Sequence, residues 1–346
     1  MEFPKESWKE ASPESQGVNP KKLNEAMDYL AGVSGQQGNR QALVIRNGFV
    51  IWKGDETDNL HTVWSVSKSF TSTVLGLLVD EGKCTLDTKA AQYVPFLEEM
   101  YPDVTLRHLT TMTSGYCAVG NPPGGAGSLT PFVPAKPLYK PGEKYFYNND
   151  GMHVLAYALT RIAGEPLKDI FRRRIADPVG IKNWEWRDFG VIDGILVNGG
   201  TDNIGVGVSI TAEGMARLGH LFLNRGNWDG KQLISAEWIR QATSVQVPAD
   251  LPELPYLPMY SDANHALGSG IYGFNWWVNG TKANGERNWK HAPPGTFYAS
   301  GLNNNMCCVV PEWNLVFVRL GTDCSVKNSE YDIFWKIMSK AIAEYV

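Results

Sequence analysis

Cysteine is scarce in this chain: five residues (Cys84, Cys117, Cys307, Cys308, Cys324), an odd and scattered set with no Cys-x-x-Cys spacing. That pattern argues against a disulfide framework or a thiolate zinc site and reads instead as buried thiols. The six histidines show no His-x-x-x-His pairing, so no metal site is expected. No apolar run approaches the length of a membrane span, so membrane insertion is not expected. A net charge of −4 gives no electrostatic reason to expect nucleic acid or an anionic membrane surface as partner. There is no Gly-x-Ser-x-Gly elbow, Walker loop or dinucleotide fingerprint; the stretch 226–231 is one residue short of a phosphate loop and reads as a turn. No cofactor is expected. No signal peptide is visible, so the chain reads as cytoplasmic, or as periplasmic or secreted if a leader has been removed. Oligomeric state stays open.

What is present is an ordinary globular composition, 43% hydrophobic and 20% charged, over 346 residues. That suffices for one large or two interlocked domains. The stretch that organises the rest is Trp64-Ser65-Val66-Ser67-Lys68. The apolar positions Phe70, Val74, Leu75, Leu77 and Leu78 and the stop at Gly82 predict one helix, with Ser65 in its first turn. Lys68, three residues on, lies on the same face as Ser65. A serine hydroxyl becomes a nucleophile when a base takes its proton, and a lysine whose pKa burial lowers can be that base. The unpaired N–H at the helix start suits an oxyanion on the attacked carbonyl. The plain alternative is an N-capping serine beside a surface lysine.

Taken in order, 21–30 reads as an amphipathic helix behind an Asn19-Pro20 start. Residues 42–46 and 49–54 read as strands joined by the Asn47-Gly48 turn, a strong hairpin signal. From 83 to 265 the signals are mainly helical: 104–112, 150–163, 166–175, 211–223 and 235–242. A Gly- and Pro-containing excursion at 119–143 is a candidate pocket rim. Strand signals return at 272–278, 297–301, 305–310 and 315–320, and 331–345 closes the chain as a helix. The expected architecture is an antiparallel sheet drawn from both ends (1–82 with 266–346), with a mostly helical inserted domain (83–265) beside it. The cleft between them is the default site.

Two further segments offer partners for Ser65 and Lys68. Tyr147-x-Asn149 precedes a helix; a tyrosine hydroxyl beside a lysine can shuttle protons, and an asparagine amide can position lysine and substrate. Standing alone, it would be an aromatic turn with an Asn cap. Ala299-Ser300-Gly301-Leu302 reads as a strand passing the cleft, where the Leu302 N–H would complete an oxyanion hole with that of Ser65. Its alternative is a core strand with a glycine bulge. Trp64, Trp184, Trp186, Trp276, Trp277 and Trp289 are either core or aromatic walls of a pocket, and His291 is a candidate pocket residue.

Ser65-x-x-Lys68, Tyr147-x-Asn149 and the late Ala299-Ser300-Gly301 strand, in that order, resemble the serine β-lactamase and penicillin-binding-protein superfamily. The chain most resembles the class C-like branch that holds carboxylesterases and 6-aminohexanoate-dimer hydrolases. Stretches at 44–48, 86–87, 104–109, 113–115 and 310–312 extend the resemblance over most of the chain. It implies an α/β (α+β) fold in which a helix-flanked antiparallel sheet adjoins an all-helical domain. Ser65 would be the acylated nucleophile, Lys68 the general base and Tyr147 the proton shuttle. The backbone N–H groups of Ser65 and Leu302 would form the oxyanion hole, and Asn149, Ser300 and Gly301 would position substrate. Two departures matter. Ala299 stands where the family commonly carries a Lys or His that reads a substrate carboxylate, and Asn303-Asn304-Asn305 replaces a Gly-Gln pair. The resulting expectation is a serine hydrolase of small neutral carboxylic esters, with amides open. The alternatives are a D-amino-acid-specific peptidase or weak β-lactamase, and a non-catalytic binding or sensor protein on the same scaffold.

Overall fold

The Asn47-Gly48 turn forms with both residues left-handed (φ 53° and 86°), as a two-residue hairpin connection requires. It sits in a computed structural model that describes residues 1–35, 37–122, 125–254 and 267–343. The expected boundary at 265–266, His265 and the end of the last helix at Tyr345 fall outside the described residues. In chain order the elements are α1 (Pro20–Val33), β1 (Ala42–Arg46), β2 (Phe49–Lys53), β3 (His61–Thr62), α2 (Ser67–Asp80), α3 (Leu106–Thr110), α4 (Asn149–Ala163), α5 (Leu167–Phe171) and α6 (Asp177–Val179). Then come β4 (Trp184–Trp186), β5 (Asp188–Ile192), β6 (Ile195–Asn198), β7 (Val208–Ile210), α7 (Ala212–Leu223), β8 (Asn227–Trp228), β9 (Lys231–Gln232), α8 (Ala236–Ala242), β10 (Trp277–Val278), β11 (Phe297–Gly301), β12 (Asn305–Val310), β13 (Leu315–Arg319) and α9 (Asn328–Ala343).

The main sheet runs β10-β11-β12-β13-β1-β2, antiparallel throughout, so the opening hairpin joins the late strands edge to edge. Every residue of β12 and β13 is buried, because both sheet faces are covered. On one face α9 packs Phe334 against Phe317 (ring centroids 4.9 Å apart), with Trp335 beside it. On the other face lies α7. A Cβ on its Gly219 would come within 2.7 Å of Val316 and 2.8 Å of the Cys307 sulfur, so glycine permits the close helix–sheet approach. Thus α7, inside the stretch expected to form a separate helical unit, packs on the sheet.

Three features differ from expectation. Strand structure appears at β4–β9, whose runs of two to five residues carry little alternation to read. The strand expected over 272–278 shortens to Trp277–Val278, because the left-handed Asn275 (φ 57°) turns the chain back so that Tyr272 bridges Trp277. Four cysteines are buried as expected, but Cys324 is exposed. Among the described residues no helix is long and apolar enough to cross a membrane.

Candidate active site

The helix that carries the Ser-x-x-Lys pair is buried from Ser67 to Leu78, although half of those positions are polar. Each polar side chain is spent on a neighbour. Ser69 and Ser72 hydroxyls donate to the Asn275 and Phe274 carbonyls (2.7 and 2.6 Å), and Thr71 donates to Gly200 O (3.1 Å). Ser67 Oγ accepts the Val208 N–H (2.8 Å). The helix is therefore stitched to the 274–275 turn and to the 199–208 segment, and its N-terminus is fixed in the interior.

Ser65 precedes α2 in a single 3-10 turn, Trp64–Val66. Trp64, half-buried, is left-handed (φ 52°), a conformation that costs a bulky aromatic residue free energy and that the surrounding contacts must enforce. Lys68 Nζ lies 2.7 Å from Ser65 Oγ and 2.6 Å from Thr201 Oγ1, and 4.6 Å from the centroid of the Tyr147 ring. Its side chain is 1% exposed. Burial pushes the amine well below the usual lysine range, and the nearby Asp202 carboxylate offsets this only in part. A neutral amine at that distance can accept the serine proton.

The far wall is aromatic. Tyr147 stacks on Trp277 (5.9 Å), which meets Tyr272 edge-on (4.8 Å) and stacks on Tyr298 (6.4 Å). Of the tryptophans singled out from sequence, Trp277 thus reaches the site. Trp184, Trp186, Trp276 and Trp289 pack on Phe171, Phe70, Phe222 and Tyr298 as core.

The strand end beside the serine is set by Gly301. A Cβ there would lie 2.3 Å from Val63 O and 3.1 Å from the Ser65 nitrogen, so only glycine lets β11 run this close to the 3-10 turn. That approach brings the Gly301 end of β11 beside the Ser65 amide. Ser300, just before it on β11, is half-buried. The chain then reverses through Asn303 and Asn304, both left-handed (φ 65° and 59°), a conformation asparagine tolerates. Asn305, fully buried, donates to Leu302 O (2.6 Å) and accepts from Gly321 N–H (3.2 Å). The asparagine run that departs from the family pattern is what folds this loop.

Two expectations need correction. Asn149 does not position Lys68: its amide nitrogen donates to Ala126 O (2.5 Å), and its Oδ1 is buried without a hydrogen-bond partner among the described residues. The preceding Asn148 takes the N-cap of α4, accepting from Gly151 N–H, and the Asn149 side chain reaches Ala126 instead. His291 is not placed with the cluster; its Nδ1 pairs with Asp332 on α9 (2.9 Å) at a 40% exposed position.

The residue that sequence reasoning missed is Thr201, which takes the place expected for Asn149 at the lysine. It lies on a segment mounted between α2 and α4. Gly200 N–H donates to His153 Nδ1 (3.2 Å), so His153 carries its proton on Nε2 and donates to Asn203 Oδ1 (2.7 Å). Burial holds His153 down to about 4, which keeps it neutral. The Gly199-Gly200 pair was the one available signal: a Cβ on Gly200 would meet Met152 O at 1.9 Å, so the chain passes α4 backbone to backbone.

Comparisons with known proteins bear on the family and the fold. The sequence profile of the Beta-lactamase family matches residues 30–325. An uncharacterised protein of Alkalihalophilus pseudofirmus is 23% identical over 277 residues, covering 76% of this chain and 74% of that one. The D-alanyl-D-alanine-carboxypeptidase/endopeptidase AmpH of Escherichia coli is 28% identical over 144 residues, 37% of each chain, so that alignment spans about a third of the relative. Among solved structures, a Bacillus anthracis protein assigned to the 6-aminohexanoate-dimer hydrolases superposes with TM-score 0.62 at 21% identity, covering 88% of this chain and 78% of that one. A family VIII carboxylesterase superposes with TM-score 0.64 at 15% identity, covering 94% and 99%.

Proposed function

The chain belongs to the Beta-lactamase family, and from that premise we propose that it is a serine hydrolase working through an acyl-enzyme on small neutral carboxylic esters. The observation that carries this reading is the 2.7 Å approach of the buried Lys68 amine to Ser65 Oγ. Lys68 takes the hydroxyl proton as Oγ attacks the ester carbonyl, and the Ser65 and Leu302 N–H groups hold the resulting oxyanion. The tetrahedral intermediate collapses to the acyl-serine as the alkoxide leaves, taking a proton by way of Tyr147. Water then attacks the acyl carbonyl, giving its proton back along the same path and releasing the acid.

Substrate charge follows from Ala299. It is buried and apolar where a cation would read a carboxylate, which favours neutral esters over β-lactams and peptides that end in D-alanine. The aromatic wall of Tyr147 and Trp277 suits an acyl or aryl group.

The test is turnover of p-nitrophenyl acetate and butyrate against a chromogenic cephalosporin, for the native protein and Ser65→Ala. Rapid ester turnover, slow cephalosporin turnover and loss of both in the variant are expected. Faster cephalosporin turnover would shift the assignment to a β-lactamase or D-amino-acid peptidase. No turnover of either would favour a binding or sensor protein.

A further inference from the structure

Segment 199–207 touches the base but was not among the motifs that pointed to it. We infer that this segment sets the aim and strength of the Lys68 base: Thr201 holds the amine in line with Ser65, and the buried Asp202 carboxylate, restrained by Arg187, sets how readily that amine takes a proton. The inference rests on the reading of Lys68 as general base and adds residues to it.

The aim comes from hydrogen-bond geometry. A neutral amine has two N–H donors and one lone pair, and only the lone pair can accept the serine proton. Thr201 Oγ1, fully buried at 2.6 Å, accepts one N–H and so holds the amine where its lone pair can accept from the Ser65 hydroxyl, 2.7 Å away. The threonine is held in place by its neighbours. Gly200 is bonded through its N–H to His153 and through its carbonyl to Thr71. Behind it, Gly207 leaves no room for a side chain, since a Cβ would lie 2.2 Å from that of Asp202.

The strength comes from charge. Asp202 is 3% exposed; its Oδ2 pairs with Arg187 Nη2 at 3.1 Å, and its Oδ1 has no hydrogen-bond partner among the described residues. Arg187 divides the same Nη2 between Asp202 and Thr62 Oγ1 (3.2 Å), and its side chain is 42% exposed. It therefore neutralises Asp202 incompletely and from the solvent side. Among the described residues, the other groups facing Lys68 are Ser65 and the Tyr147 ring, together with His153 from α4, which burial keeps uncharged. Asp202 is thus the anion whose field favours a protonated Lys68, and Arg187 is the cation that weakens that field.

Opposite substitutions should move the base in opposite directions. Asp202→Asn removes the anion, so the acid limb of kcat/KM for p-nitrophenyl acetate should move down by about one pH unit. Arg187→Gln removes the compensating cation, and the limb should move up, by roughly half a unit. Loss of packing alone would not displace the two in opposite senses. Thr201→Val should lower kcat by about 10²-fold with KM little changed, and Thr201→Ser should restore most of it. Should Asp202→Asn fail to fold, Arg187→Gln, at a half-buried position, still decides the electrostatic claim. Limbs that stay fixed or move together would overturn that claim, and native kcat in Thr201→Val would overturn the claim of aim. Lys68→Met separates the two readings. If it retains turnover, the general-base assignment itself fails; if it is inactive while the limbs stay fixed, only the present inference fails.

Discussion

A lysine amine in water is protonated near neutral pH and has no lone pair to offer a serine. Burial pushes Lys68 towards the neutral form, and among the described residues its amine lies against the Ser65 and Thr201 hydroxyls with the Tyr147 ring beside it. Ser65 and Lys68 are three residues apart across the start of one helix, so their contact could be read from spacing. The value of Gly301 could not, because it depends on a strand that arrives from the other end of the chain. Its role gives a direct test. In Gly301→Ala the new methyl would lie 2.3 Å from Val63 O, and the strand must move away from Ser65. With the proposed Leu302 oxyanion donor displaced, kcat is expected to fall about 10²-fold, with secondary structure by circular dichroism unchanged. Native kcat in this variant would show that the Leu302 amide is not part of the site.

Among the elements, the β11–β12 connection shows how a departure from a family pattern can be a local solution. Three consecutive asparagines reverse the chain, two by accepting left-handed backbone and the third by bonding Leu302 O and Gly321 N–H from a buried position. Asn305→Ala would leave those two backbone groups without partners, at about 1–3 kcal/mol. It should lower the urea midpoint and reduce kcat together; an unchanged midpoint would contradict the clamp. The strands β12 and β13 were legible because they are buried on both faces and read as continuous apolar runs. Thr201 was not legible, since it lies 133 residues from Lys68 with no spacing relation to it. The expected link of Asn149 to Lys68 failed for a related reason: whether Asn148 or Asn149 caps α4 decides where the next side chain points, and both residues suit the cap.

At the scale of the whole molecule, the main sheet joins the early hairpin to the late strands, and β11, which passes Ser65, belongs to it. Two buried histidines tie that fold to pH. His153 and His220 are both held down to about 4 by burial, against an ordinary value of 6.5. The unfolded chain therefore binds protons that the native state refuses as pH falls below about 6.5. Their contribution is fully present above that pH and is lost as pH drops towards 4. Between pH 7 and pH 5 each should cost about 2 kcal/mol of unfolding free energy. Urea unfolding at the two pH values tests this, and His220→Gln should reduce the dependence by that residue's share, about 2 kcal/mol, leaving the part carried by His153 and other buried bases such as Lys68. Equal pH dependence in that variant would contradict it.

The most direct test of the central claim is the mass of the intact protein after brief mixing with p-nitrophenyl butyrate and an acid quench. A butyryl adduct on the native protein, mapped to Ser65 and absent from Ser65→Ala, is the expected result. An adduct on another residue, or ester turnover that survives Ser65→Ala, would contradict the assignment of the nucleophile.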